Sequence, residues 1–116
     1  MSIFIRVIGE ADGIPISIGD TYLAARRFKG FSAIYRETMS ITKTLARFGI
    51  HDYMRETTRV IARNPSEEEV QHLRQSAMTP ILAVESVDVD RDKRPIVYHE
   101  TRFAGERVQF VVKRGD

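Results

Sequence analysis

Cysteine is missing from this chain of 116 residues. Its absence removes disulfides, thiolate metal sites and cysteine nucleophiles together, and a chain without bridges fits a reducing cytoplasm. Long apolar runs are missing too. Nothing approaches the roughly 20 residues that cross a bilayer, and Met1–Gly9, with Arg6 as its one charge, is too short for a signal peptide. The reading is a soluble cytoplasmic protein with no membrane partner. An excess of one charge sign is also lacking, since 18 Lys and Arg stand against 16 Asp and Glu for a net +2. DNA-binding modules gather their basic residues on one face or in one run, and here they are interleaved with acids. The short cluster Arg26-Arg27-Phe28-Lys29 reads as a solvated loop.

Catalytic signatures are equally sparse. His51, His72 and His99 fall in three separate segments with no HExxH or HxxxH spacing, so no metal site is expected. Each reads as a surface or packing residue. There is no GxSxG elbow, Gly-rich phosphate loop or dinucleotide fingerprint, and no cofactor is expected. Asp88 and Asp90 share a face near a strand end, where turn chemistry explains them as well as general-base work does. The chain reads as no enzyme.

What is present is patterning for one small domain over residues 1–116, with 42% hydrophobic content and no repeats or linkers. Ile3–Ile8 and Ile14–Leu23 flank Asp12-Gly13, a hairpin signal because glycine accepts the positive φ of a tight turn. Ala24–Thr38 reads as a loop leading into a short helical turn. A clearer helix follows, with Ser40 as N-cap, Ile41, Leu45 and Phe48 on one face and Gly49 as the left-handed stop. Tyr53–Ala62, rich in Thr and Val, reads as a strand. Ser66 with Glu69 three residues on is a capping-box pattern for the helix of Val70 and Leu73. Ile81–Val89 and the run from Pro95 form a final hairpin around residues 90–94, with Ile81, Ala83, Glu85, Val87 and Val89 on one face. A last strand is expected at Arg107–Lys113. The order argues for an α+β domain, an antiparallel sheet with helices on one side.

Three stretches carry a family likeness: Gly49-Ile50-His51-Asp52-Tyr53-Met54-Arg55, Thr57 through Pro65, and Tyr98 through Val108. Together they resemble the ligand-sensing (UTRA) domain of HutC-type regulators in the GntR family, above all those of phosphonate metabolism. The resemblance implies a chorismate-lyase-like fold around a ligand pocket, a small anionic effector and a homodimer. It also implies a strand and helix before Met1, preceded by a winged-helix domain that alone touches DNA; neither pattern is found in these residues.

The resemblance nominates site residues one by one. A serine in a short motif, here Met39-Ser40-Ile41-Thr42, touches the effector's anionic group in the family; a serine at a helix N-terminus stands beside free N–H groups in any case. Arg6 matches one arginine of an Arg-x-Arg pair suited to phosphate. On the last hairpin the family places a carboxylate before the Tyr98 position and an aromatic hydroxyl at the Phe103 position. Val97 and Phe103 stand there instead, so that wall is less polar and a small phosphonate fits better than a hexosamine phosphate. Arg102 and Glu100, on the other face of that strand, are expected in solvent or at a dimer contact. The expected ligand residues are therefore Ser40, Arg6, Thr42, Phe103 and Tyr98. Two other classes remain open, a ligand-free dimerisation module and an enzyme akin to chorismate lyase.

Overall fold

The computed structural model describes residues 2–114. Its elements run β1 (Ser2–Ala11), β2 (Ile14–Ala24), α1 (Phe31–Thr38), α2 (Ile41–Arg47), β3 (Met54–Arg63), α3 (Glu67–Leu73), β4 (Ile81–Val89) and β5 (Pro95–Ala104). The strands form one sheet in the order β1-β2-β5-β4-β3. Every neighbouring pair is antiparallel.

Local chemistry accounts for most boundaries. Asp12 and Gly13 both take positive φ, at 52° and 78°, which is the backbone the first hairpin turn requires. Ser40 caps α2 by accepting from the Lys43 N–H at 3.1 Å. Ser66 and Glu69 close the full reciprocal capping box at α3. At the last hairpin, Asp90 Oδ1 accepts from the backbone N–H groups of Asp92 and Arg94, both at 2.9 Å. The segment after Ala24 folds further than its sequence suggests. α1 is a full helix whose N-cap, Gly30, offers no side chain, and burial of Phe28 and Phe31 holds it instead. Each such ring contributes about 1.5–3 kcal/mol.

The α+β class and the antiparallel sheet are as expected, but the helices are not all on one side. Strand residues alternate between faces. Leu23 and Val97 pack with Phe28, Phe31 and Leu45 beneath α1 and α2. Ile18, Ile81 and Ala104 pack with Leu73 of α3. Ile18 and Leu23 differ in parity on an unbroken stretch of β2, so α3 covers the face opposite to α1 and α2. The sheet is clasped at opposite ends of its two faces.

The expected strand at Arg107–Lys113 does not form. β5 lies between β2 and β4, with both of its edges occupied, so a chain leaving it finds no free ladder beside it. Arg107 instead donates to the carbonyls of Pro15, Leu73 and Arg74. Phe110 packs edge-on against Phe103, with ring centroids 5.2 Å apart.

Candidate functional site

On the face shared with α1 and α2, one row of side chains crosses four strands. The register sets Thr21 of β2 opposite His99 of β5, His99 opposite Ser86 of β4, and Ser86 opposite Thr58 of β3. Hydroxyl, imidazole, hydroxyl and hydroxyl thus lie side by side. The imidazole is bonded at both ends, Nδ1 to Thr21 Oγ1 at 3.1 Å and Nε2 to Asp88 Oδ2 at 3.1 Å. Arg55 completes the chain by donating from Nε to Asp88 Oδ1 at 2.6 Å. Asp88 and Ser86 are buried, whereas His99 is part-exposed and Arg55 half-exposed. A carboxylate only 4% exposed needs such partners, because an unpaired charge there would cost several kcal/mol.

Sequence reasoning missed this row. His99 read as a packing residue and Asp88 as turn chemistry, yet they form one hydrogen-bonded unit with Thr21, 78 positions from His99 in sequence. The available signal was strand parity, which puts Thr21 and His99 on inward positions of their runs. Their pairing depends on β2 docking to β5.

The nominated residues fall on both faces. Phe103 shares the face of the polar row, four residues from His99 on β5. Ser40 caps α2 and Thr42 lies in its first turn, and α2 packs over that face. The Ser40 hydroxyl is engaged as the helix cap, and Thr42 Oγ1 lies 2.6 Å from the Tyr53 hydroxyl. Arg6 and Tyr98 project from the opposite face, so the five do not converge on one point. Tyr98 stands beside Tyr22, ring centroids 5.7 Å apart. It lines a groove of about 480 Å³ with Val87 and Ile96. Burial, helped by the charges of Glu85 and Glu100, pushes the Tyr98 hydroxyl above its ordinary range.

Arg6 is committed to an ionic network beneath α3. Its guanidinium grips Asp20 through two hydrogen bonds of 2.8 and 2.9 Å and reaches Glu68 at 3.2 Å. Arg102, expected in solvent, is 5% exposed. It sits among Asp20, Glu69 and Glu100 because α3 closes over its end of the strand. Burial works against ionisation of Asp20, but the Arg6 hydrogen bonds and the nearby Arg102 charge outweigh it and hold that carboxyl below its usual range. Arg63 makes two hydrogen bonds to Glu69, and these above all lower the Glu69 pKa to about 2.

A five-stranded antiparallel sheet clasped from both faces is a fold shared with solved domains of transcriptional regulators. The C-terminal domain of Yurk from Bacillus subtilis superposes with a TM-score of 0.89 at 15% identity, over 97% of this chain and 78% of that one. A GntR-family transcriptional regulator from Bacillus cereus gives 0.85 at 19% identity, over 98% and 79%. The effector domain of PhnF from Mycobacterium smegmatis gives 0.79 at 21% identity, over 98% and 70%. The chain belongs to the UTRA domain family, whose pattern matches residues 2–109. It is 33% identical over 109 residues to an uncharacterized HTH-type transcriptional regulator of Rhizobium meliloti (strain 1021), covering 94% of this chain and 45% of that protein. The chain thus spans less than half the length of that curated relative. Among the described residues no helix is long and apolar enough to cross a membrane.

Proposed function

We propose that this chain is the effector-sensing domain of a HutC-type, GntR-family transcription regulator, and that it reports a small phosphonate- or phosphate-bearing metabolite to a DNA-binding domain. The observation that carries this reading is the row Thr21–His99–Ser86–Thr58, a line of hydrogen-bonding groups on a half-buried sheet face, backed by the Arg55–Asp88 pair. The effector's anionic group sits against Thr21 and His99, Phe103 forms the apolar wall, and Ser40 and Thr42 approach from α2. Arg6, spent on Asp20, and Tyr98, on the far face, serve the fold rather than the ligand. A homodimer presents two such domains, and DNA is reached only through the winged-helix part.

An alcohol, an imidazole and a carboxylate in line also suggest acyl transfer. That chemistry needs free backbone N–H groups aimed at the developing oxyanion. Thr21 lies on β2, whose two edges are both taken by ladders to β1 and β5, so no such donors flank it. The binding reading is therefore the stronger.

A thermal-shift titration of the purified chain with methylphosphonate, inorganic phosphate and 4-hydroxybenzoate tests the assignment. A ligand that binds only the folded state raises stability with concentration, by about 2.7 kcal/mol at a hundredfold excess over Kd. Saturable shifts with the phosphorus anions are expected. A shift with hydroxybenzoate alone overturns the assignment in favour of a lyase-like pocket, and no shift with any of the three favours a ligand-free module.

A further inference from the structure

We propose that anion uptake at this seat is coupled to the uptake of one proton by His99, so that the domain reads its effector and pH jointly. The inference rests on the effector seat proposed above. Asp88 accepts from Arg55 on one oxygen and has no proton to offer on the other, so His99 Nε2, 3.1 Å away, is the donor in that contact. In the neutral ring Nδ1 is then an acceptor, and the Thr21 hydroxyl, 3.1 Å away, donates to it. The hydroxyl's single hydrogen is thereby spent. Thr21 presents only lone pairs to a ligand, and lone pairs repel an anion.

Protonation reverses both features. A solvent proton on Nδ1 makes each ring nitrogen a donor, and Nδ1–H now donates to Thr21 Oγ1. The hydroxyl keeps its own hydrogen and turns it outward, where it can donate to the anion with an imidazolium directly behind it. No covalent bond changes except the new N–H. Linkage makes the coupling reciprocal, so a bound anion strengthens the ring's hold on its proton by the same factor.

The groups facing the ring are few. β4 brings Asp88 and the neutral Ser86, β3 brings Arg55 behind Asp88, and β2 brings Thr21. Among the described residues no ion pair or hydrogen bond brings a charged side chain of α1, α2 or β1 to the imidazole. Asp88 is common to both states. The switch therefore lies in Nδ1 and the Thr21 hydroxyl.

Sulfate is the decisive probe, since its charge is constant over the range in which an imidazole titrates, and methylphosphonate is the second. Calorimetry from about pH 5.5 to 8.5 in buffers of different ionisation enthalpy reads affinity and proton uptake together. The expected result is up to one proton taken up per sulfate bound, with affinity falling as pH rises, by about tenfold per pH unit where a full proton is taken up. His99→Gln, whose amide still serves Asp88, should flatten the profile; Thr21→Val should weaken sulfate binding across the whole range, because the bound state carries the proton and the outward hydroxyl throughout. Saturable sulfate binding with a flat profile in the unsubstituted chain overturns the coupling and leaves the seat standing. No saturable binding of either anion at any pH overturns both. Nitrogen-15 spectra of the ring decide independently of any ligand: Nε2–H is the tautomer required at high pH, and Nδ1–H there would overturn the coupling.

Discussion

Arg63 holds Glu69 by two parallel hydrogen bonds of 2.8 Å each, tying the last residue of β3 to the first turn of α3. Glu69 also accepts from the Ser66 N–H at 2.9 Å, so one carboxylate serves a helix cap and an interelement ion pair at once. Fork-to-fork pairing of this kind is the strong form of the interaction.

Acid should loosen α3. The Glu69 pKa is about 2 in the folded chain against an ordinary 4.5. A depressed folded pKa gives stability that is present above pH 4.5 and drains away as pH falls from there toward 2. Because Arg63 is partly in water, the contribution is on the order of 2 kcal/mol rather than the full value of the shift. Glu69→Gln keeps an oxygen for the cap but loses the charge, so it should be less stable at neutral pH and show a flatter acid dependence. Urea midpoints measured at several pH values check both; a variant whose acid dependence matches the parent would place the effect elsewhere, Asp20 being the next carboxylate to test.

Ser40 caps α2, and its proposed place beside the anion seat is separable from that role. As a cap, Ser40→Ala should cost about 1 kcal/mol. Ser40→Asp caps equally well but brings a negative charge toward the proposed anion seat, so stability should hold while methylphosphonate affinity drops. Undiminished affinity in the aspartate variant would make Ser40 a cap and nothing more.

The outer edge of β1 has no neighbour among the described residues, and Phe4 and Val7 are about half exposed on it. Open edges of this kind pair with other chains unless charge blocks them. Light scattering at micromolar concentration should therefore find a dimer, and Val7→Lys should shift it toward monomer. A parent chain that is already monomeric would count against association through this edge.

Much of the fold is legible locally. The Asp12-Gly13 turn, the Ser40 and Ser66 caps, the stop at Gly49 and the extent of β3 and β4 follow from residues within a few positions of one another, because turn dihedrals and helix-end hydrogen bonds are short-range. α1 is less legible, since no side chain caps it and its stability comes from Phe28 and Phe31 meeting Leu23, Leu45 and Val97. The likeness to UTRA domains is readable in the Tyr98–Val108 stretch, but the likeness alone did not show which nominated residues share a face.

That division belongs to tertiary structure. Alternation along a strand sorts side chains into two sets, and only the packing of helices says which set each helix covers. So Arg102 is buried rather than solvated, Arg6 answers to Asp20, and α3 opposes α1 and α2. The Thr21–His99–Asp88–Arg55 chain draws on β2, β5, β4 and β3, and it exists because the antiparallel register sets residues distant in sequence opposite one another. The tail after Arg107 makes the same point from the other side: its Val- and Phe-rich run has strand propensity, but β5 beside it is already paired on both edges, and propensity without a free edge makes no strand.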